Sequence, residues 1–254
     1  MYLTGRLLVE GPAGVLDQED LPGRQGRLAL ACLGLARSQP VSRDTLTAAL
    51  WDADGPPALD MALSAVVSKV RSGLASVGFR DALHRAGGCY VLRLPPGSWV
   101  DVEVAAGQLD QAEAATRRGH ADAAWAAATV ATAILRRPFL PGESTQWASQ
   151  HRARLQGQWF RAADCLAEAW LAKGEGGLAQ QVAEETLAAA PFREAAYRLV
   201  MRAQLAQGNR ADALWTFQRC RDLLVAELGV EPAPETQRVH AQALRQGHET
   251  TAQR

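Results

Sequence analysis

Two segments of the chain, KGEGGLAQQVAEET and QGNRADALWTFQRC, place Gly174 and Gly208 34 residues apart, and each glycine is followed five residues later by an alanine, Ala179 or Ala213. That spacing is the length of a helix–turn–helix repeat, in which a small residue lets two antiparallel helices approach closely. A third copy begins at Gly119 with Ala124. Around these segments the composition is rich in alanine and poor in β-branched runs, so residues 101–246 read as one helix after another. Single repeats of this kind cannot bury their apolar faces and must stack, which predicts a short solenoid with a surface suited to a partner. Five of the seven tryptophans, Trp125, Trp147, Trp159, Trp170 and Trp215, fall in this helical stretch, where most are expected to serve as packing.

The first hundred residues follow a different pattern. YLTGRLLVEG and AGVLDQ alternate short apolar runs with glycine and proline, as in a small antiparallel sheet. From Arg24 the apolar residues Leu28, Leu30, Leu33 and Leu35 cluster as in a buried helix, which Pro40 ends. Ser42 stands as an N-cap ahead of a second helix with Leu46, Ala49, Leu50 and Trp51. After the turn DADGPPA, the residues Leu59, Leu63, Val66, Val67, Val70 and Leu74 mark the apolar stripe of a third helix running to about Ser76. Its opposite face carries Ser64, Ser68, Lys69, Arg71 and Ser72, with no acidic residue between Met61 and Arg80. LHRAGGCYVLRL then reads as a hairpin with Arg85 near its tip. Three helices and a hairpin make a winged helix-turn-helix, and Pro95–Ser98 marks the boundary between residues 1–97 and 98–254.

Formal net charge is zero, which by itself argues against a nucleic-acid binder. The local distribution argues otherwise: residues 61–100 hold five basic residues (Lys69, Arg71, Arg80, Arg85 and Arg93) against Asp81 alone. Cations there supply charge for phosphates and donors for guanine edges, and serines bond either without bulk. The other face-value reading of the helix is an ordinary solvated surface. Cys32, Cys89, Cys165 and Cys220 are more than fifty residues apart or lack ligand-like spacing, so they read as free thiols with no metal. The five histidines are scattered, with no HExxH or GxSxG motif, and no cofactor or catalytic role is expected. No apolar run is long enough for a membrane span and no signal peptide precedes the first strand, so a cytoplasmic protein is expected.

Three runs carry a resemblance to a known family: ADALWTFQRCRDLLVAELGVEPAPET (residues 211–236), VSRDTLTAALW (41–51) and SKVR (68–71). The chain resembles transcriptional activators of the Streptomyces antibiotic regulatory protein type, over residues 2 to about 246. The resemblance implies an α+β, OmpR-like winged helix followed by an all-α, tetratricopeptide-like bacterial transcriptional activation domain. It implies that Lys69 and Arg71 contact DNA in the major groove, that direct-repeat promoter sites are bound, and that RNA polymerase is recruited through the helical domain. A homodimer on DNA is expected with it. Two departures stand out: Gly73 lies inside the third helix, and Cys89 precedes Tyr90. A glycine there costs about 1 kcal/mol relative to alanine, which points either to close packing or to a loose helix end. Two alternatives remain at this stage. One is an interaction scaffold with weak DNA binding. The other is a sensor of a small-molecule or nucleotide effector bound by the helical domain or at the domain junction, with Arg117, Arg118, Arg136, Arg137, His151 and Arg152 as its cations.

Overall fold

The computed structural model describes residues 1–251, with side chains described through Arg245. Two compact units divide the chain: residues 1–107 with 133–158, and residues 108–132 with the chain from 159 onward. Among the described residues, no helix is long and apolar enough to cross a membrane.

In the first unit, β1 (Leu8–Gly11) and β2 (Gly14–Asp17) pair antiparallel, Leu8 opposite Asp17 and Gly11 opposite Gly14. Three helices follow: α1 (Gly23–Leu35), α2 (Arg43–Trp51) and α3 (Leu59–Ser76). Their buried faces, including Leu28, Leu30, Leu33, Leu46, Leu50, Leu63, Val70 and Leu74, form the core. The Ser42 hydroxyl accepts from the Thr45 amide at 3.0 Å, the cap expected from sequence, since it satisfies one of the amides that a helix start leaves unpaired. The same residue closes a two-residue strand, β3 (Val41–Ser42), which lies beside β5 (Cys89–Leu92); β5 in turn pairs with β4 (Leu83–Ala86) in the order β3-β5-β4. A strand of two residues has no alternation, so the sequence pattern does not announce it.

The remaining segments of this unit are held by carboxylates. Helix α4 (Asp101–Arg117) opens on Asp101, which is 1% exposed. Its oxygens accept from the amides of Leu3 (2.9 Å), Thr4 (3.0 Å) and Val102 (2.8 Å) and from the Thr4 hydroxyl (2.6 Å). Thr4 also bridges to Phe139, and Gly5 donates to the Pro138 carbonyl at 2.8 Å. In the same loop Glu143, 4% exposed, accepts from Arg24 Nε (2.9 Å) and Arg27 Nη2 (2.7 Å) of α1. Arg152 ties off the loop by donating to the carbonyls of Leu140 (3.0 Å) and Glu143 (2.6 Å). Asp52, at the end of α2 with φ 50°, holds a conformation that L-residues rarely adopt. Its carboxylate accepts from the amide of Gln146, the first residue of α6 (Gln146–Ala172), at 3.0 and 3.1 Å, an anion at a helix N-terminus.

The second unit contains parts of α4, α5 (Ala121–Leu135) and α6, and all of α7 (Gly176–Ala189), α8 (Glu194–Ala206), α9 (Arg210–Leu228) and α10 (Pro234–Thr251). The three glycines picked out by the repeat have φ of 72° (Gly119), 80° (Gly174) and 80° (Gly208), and each sits in the same helix-ending turn. The residue after each glycine donates to a carbonyl five residues back: His120 to Ala115, Glu175 to Trp170 and Asn209 to Gln204, at 3.0, 2.9 and 2.8 Å. This bond closes a helix whose chain turns left-handed, which a side chain would oppose. Ala124, Ala179 and Ala213 are buried, as close helix approach requires. Alternate helices are linked: Glu113 of α4 to Arg161 of α6 (2.7 Å), Asp164 of α6 to Arg193 at the start of α8 (2.8 and 2.5 Å), and Glu168 of α6 to Arg202 of α8 (2.8 Å). The run VEPAPET is seated by Glu194, whose carboxylate accepts from the Ala233 amide (2.9 Å) and the Thr236 hydroxyl (2.5 Å).

Most of the five tryptophans of the helical stretch are at least partly buried, Trp125 (37% exposed) lying edge-on to Trp170 at 5.7 Å, whereas Trp215 is 67% exposed. On α9 the apolar stripe is completed by Ala213, Phe217, Cys220 and Leu224, which leaves Trp215 on the outer side. The cysteines are free, and burial pushes the Cys32 and Cys220 thiols up to about 12.

Removing the Asp101 carboxylate leaves three amides and a hydroxyl without their acceptor in a buried setting. Asp101→Ala should therefore lower stability by about 3 kcal/mol, read as a shift of the urea midpoint at constant slope. A loss under about 1 kcal/mol would show that these donors find other partners.

Candidate nucleic-acid interface

Helix α3 divides cleanly by residue type. Leu63, Val67, Val70 and Leu74 are buried, while Met61, Ser64, Ala65, Ser68, Lys69 and Ser72 are exposed. The division follows from the 3.6-residue period and the apolar stripe that it aligns. Ser64 donates its hydroxyl to the Asp60 carbonyl (2.8 Å), and Ser72 donates to that of Ser68 (3.1 Å). Those hydroxyl protons stay within the helix, so the outward lone pairs of Ser64 and Ser72 act as acceptors. Asp60, at the helix start, is paired with Arg43 of α2.

The hairpin β4–β5 closes through Gly87 and Gly88, with φ of 57° and 81° between the paired residues Ala86 and Cys89. Positive φ at both central residues is the tight hairpin turn whose twist matches that of the strands. His84 and Arg85 are exposed on β4, and Arg85 lies opposite Tyr90. The structure thus brings five of the predicted residues, Ser64, Ser68, Lys69, Ser72 and Arg85, to the surface of one unit.

Arg71 stands apart from them. It is half-buried, and its Nε donates to the Leu83 carbonyl at 3.2 Å, joining α3 to the base of the hairpin. Gly73 resolves in favour of close packing: a Cβ there would lie 3.1 Å and 3.3 Å from the two terminal methyls of Leu16 on β2. Met61, 73% exposed, shares the outer face with Ser64, Ala65 and Ser68 and is not among the residues expected from sequence. Its spacing of three and four residues from Ser64 and Ala65 was the signal available for placing it there.

The cations considered for an effector divide between the two units. Arg117 and Arg118 belong to the second, whereas Arg136, Arg137, His151 and Arg152 belong to the first. Arg152 serves the loop carbonyls described above, and His151 lies against the rings of Phe139 and Trp147. Burial, followed by the nearby Arg154, holds the His151 imidazole below its ordinary pKa. Among the described residues, no cluster of His, Cys, Asp or Glu could hold a metal ion.

Residues 100–244 match the bacterial transcriptional activator domain. The chain is similar to the transcriptional regulatory protein MoaR1 of Mycobacterium bovis, 26% identical over 223 residues, covering 87% of this chain and 72% of the relative. It is similar to the transcriptional regulatory protein EmbR of Mycobacterium tuberculosis, also 26% identical over 223 residues, spanning 57% of that protein. The regulatory protein AfsR of Streptomyces coelicolor is 30% identical over 231 residues, of which this chain spans only 22% of the full length. Among solved structures, Mycobacterium tuberculosis EmbR in complex with a low affinity phosphopeptide has a TM-score of 0.82 at 23% identity, covering 96% of this chain and 65% of that one. The likeness extends to the fold as a whole, an α+β winged helix-turn-helix followed by an all-α, tetratricopeptide-like array.

Gly73 offers a test of the packing beneath the interface. Gly73→Val should overpack Leu16 and destabilise the protein by about 1–3 kcal/mol, measured by thermal or urea denaturation. A rise in stability would mean that the relief of the glycine's helix penalty outweighs the contact.

Proposed function

Because the chain belongs to the bacterial transcriptional activator domain family, we propose that it is a sequence-specific DNA-binding transcription regulator acting in the cytoplasm. The observation that carries this is the outer face of α3: exposed, free of acid from Met61 to Arg80, and set beside a hairpin that presents Arg85. In this reading α3 enters the major groove of a repeated promoter half-site. Lys69 and Arg71 supply positive charge to the groove, and Ser64, Ser68 and Ser72 approach the bases closely because they are small. Arg85 contacts the phosphate backbone from the wing, and two copies on direct repeats act as a pair. The helical array contacts RNA polymerase. Trp215 supports that role, since an exposed tryptophan is the side-chain type most enriched among residues that dominate protein interfaces.

Duplex DNA selected from genomic fragments should bind with an affinity that falls steeply as salt rises, because phosphate neutralisation releases counterions. Lys69→Ala and Arg85→Ala should each weaken specific and random duplexes alike and reduce the salt slope by about one. Salt-independent retention of DNA would sink the electrostatic reading. On the helical array, Trp215→Ala should leave DNA affinity unchanged while lowering transcript yield in a reconstituted assay with RNA polymerase. Unchanged yield would remove Trp215 from the polymerase contact.

A further inference from the structure

The chemistry of the α3 face is unusual for a groove reader and constrains what it can recognise. At roughly 100° per residue, Met61, Ser64, Ala65, Ser68 and Ser72 fall within an arc of about 100°. Lys69 lies beyond one edge of that arc, and Arg71 lies beyond the other, bonded to Leu83. A helix with its side chains is about as wide as the major groove, so the flanks face the phosphate walls and the central strip faces the base edges. The cations are therefore placed for the walls.

The central strip holds no guanidinium, ammonium or amide, the groups that pair with guanine or adenine edges through two bonds. It offers hydroxyls, two of them with protons committed to the helix, and one apolar feature. Met61 is the most exposed of the large hydrophobic side chains among the described residues, and Ala65 lies one turn along on the same face. Met61 also stands at the N-terminal end of α3, the part of a recognition helix that meets the bases. The one apolar group on a major-groove edge is the C5 methyl of thymine. We infer that Met61, with Ala65 beside it, reads a thymine methyl group in each half-site. The polarizable, unbranched thioether adapts to such a contact without needing a fixed hydrogen-bond geometry.

This inference rests on the DNA-binding reading, and one experiment separates the two. The full chain is used to enrich a random duplex library, and the best duplex is resynthesised with deoxyuridine replacing thymidine one position at a time. That change removes only the methyl and leaves base pairing intact. At one thymine per half-site, binding should weaken by about fourfold, the value of burying a single carbon group. In Met61→Ala the thymidine and deoxyuridine duplexes should bind alike, whereas Met61→Leu should retain the preference and Lys69→Ala should weaken both forms equally. Enriched DNA with no position sensitive to deoxyuridine, or a sensitivity that survives in Met61→Ala, overturns the methyl contact and leaves DNA binding standing. A library that yields no enriched duplex overturns both.

Discussion

A carboxylate removed from water, Asp101, joins the chain's first residues to the start of α4. Burying an anion is costly unless its oxygens are met by donors, and here three amides and one hydroxyl meet them. The arrangement settles where Leu3 lies, and Leu3 in turn packs over Gly34 of α1, where an added Cβ would come within 3.3 Å of its side chain. From α1 the order passes to α2 and α3, whose buried faces share one core. Glu143 secures the other flank of α1 through Arg24 and Arg27. The helix proposed to meet DNA thus stands on a core fixed by two carboxylates that never face the nucleic acid.

Much of this was legible in the order of residues. The N-cap Ser42, the apolar stripe of α3, the Gly87–Gly88 turn and the glycines at 174 and 208 each impose a local geometry that few other conformations satisfy. The third copy at Gly119 has the same turn but stands 55 residues before Gly174, so no fixed period announces it. What could not be read were choices made by distant partners. Nothing near Asp101 or Glu143 in sequence says that one would be closed over by Leu3 and Thr4 and the other by α1. Trp215 shows the converse error: an aromatic residue in an alanine-rich helix looks like core, but one position off the stripe leaves it in water.

The α3 face illustrates why residue type and placement must be weighed together. Counting cations points to Lys69 and Arg71 as equals, yet one is exposed and the other is half-buried and bonded to the wing. Serines that look like phosphate donors have two of their protons directed inward. In the proposed reading, the electrostatic attraction to DNA and the discrimination among sequences fall to different side chains, in keeping with the general separation between phosphate contacts and base contacts.

The stretch between the first and second repeat glycines is 21 residues longer than the 34-residue interval that follows, and much of it, residues 133–158, folds with the first unit. For anyone dissecting the protein, the chain cannot be cut at the proline-rich segment near 97 without consequence. A fragment ending there would lose Asp101, Phe139 and Glu143 together, stripping the partners from Thr4, Arg24 and Arg27. The smallest piece that keeps this core is discontinuous in sequence, so an isolated DNA-binding fragment would have to be built by splicing rather than by truncation.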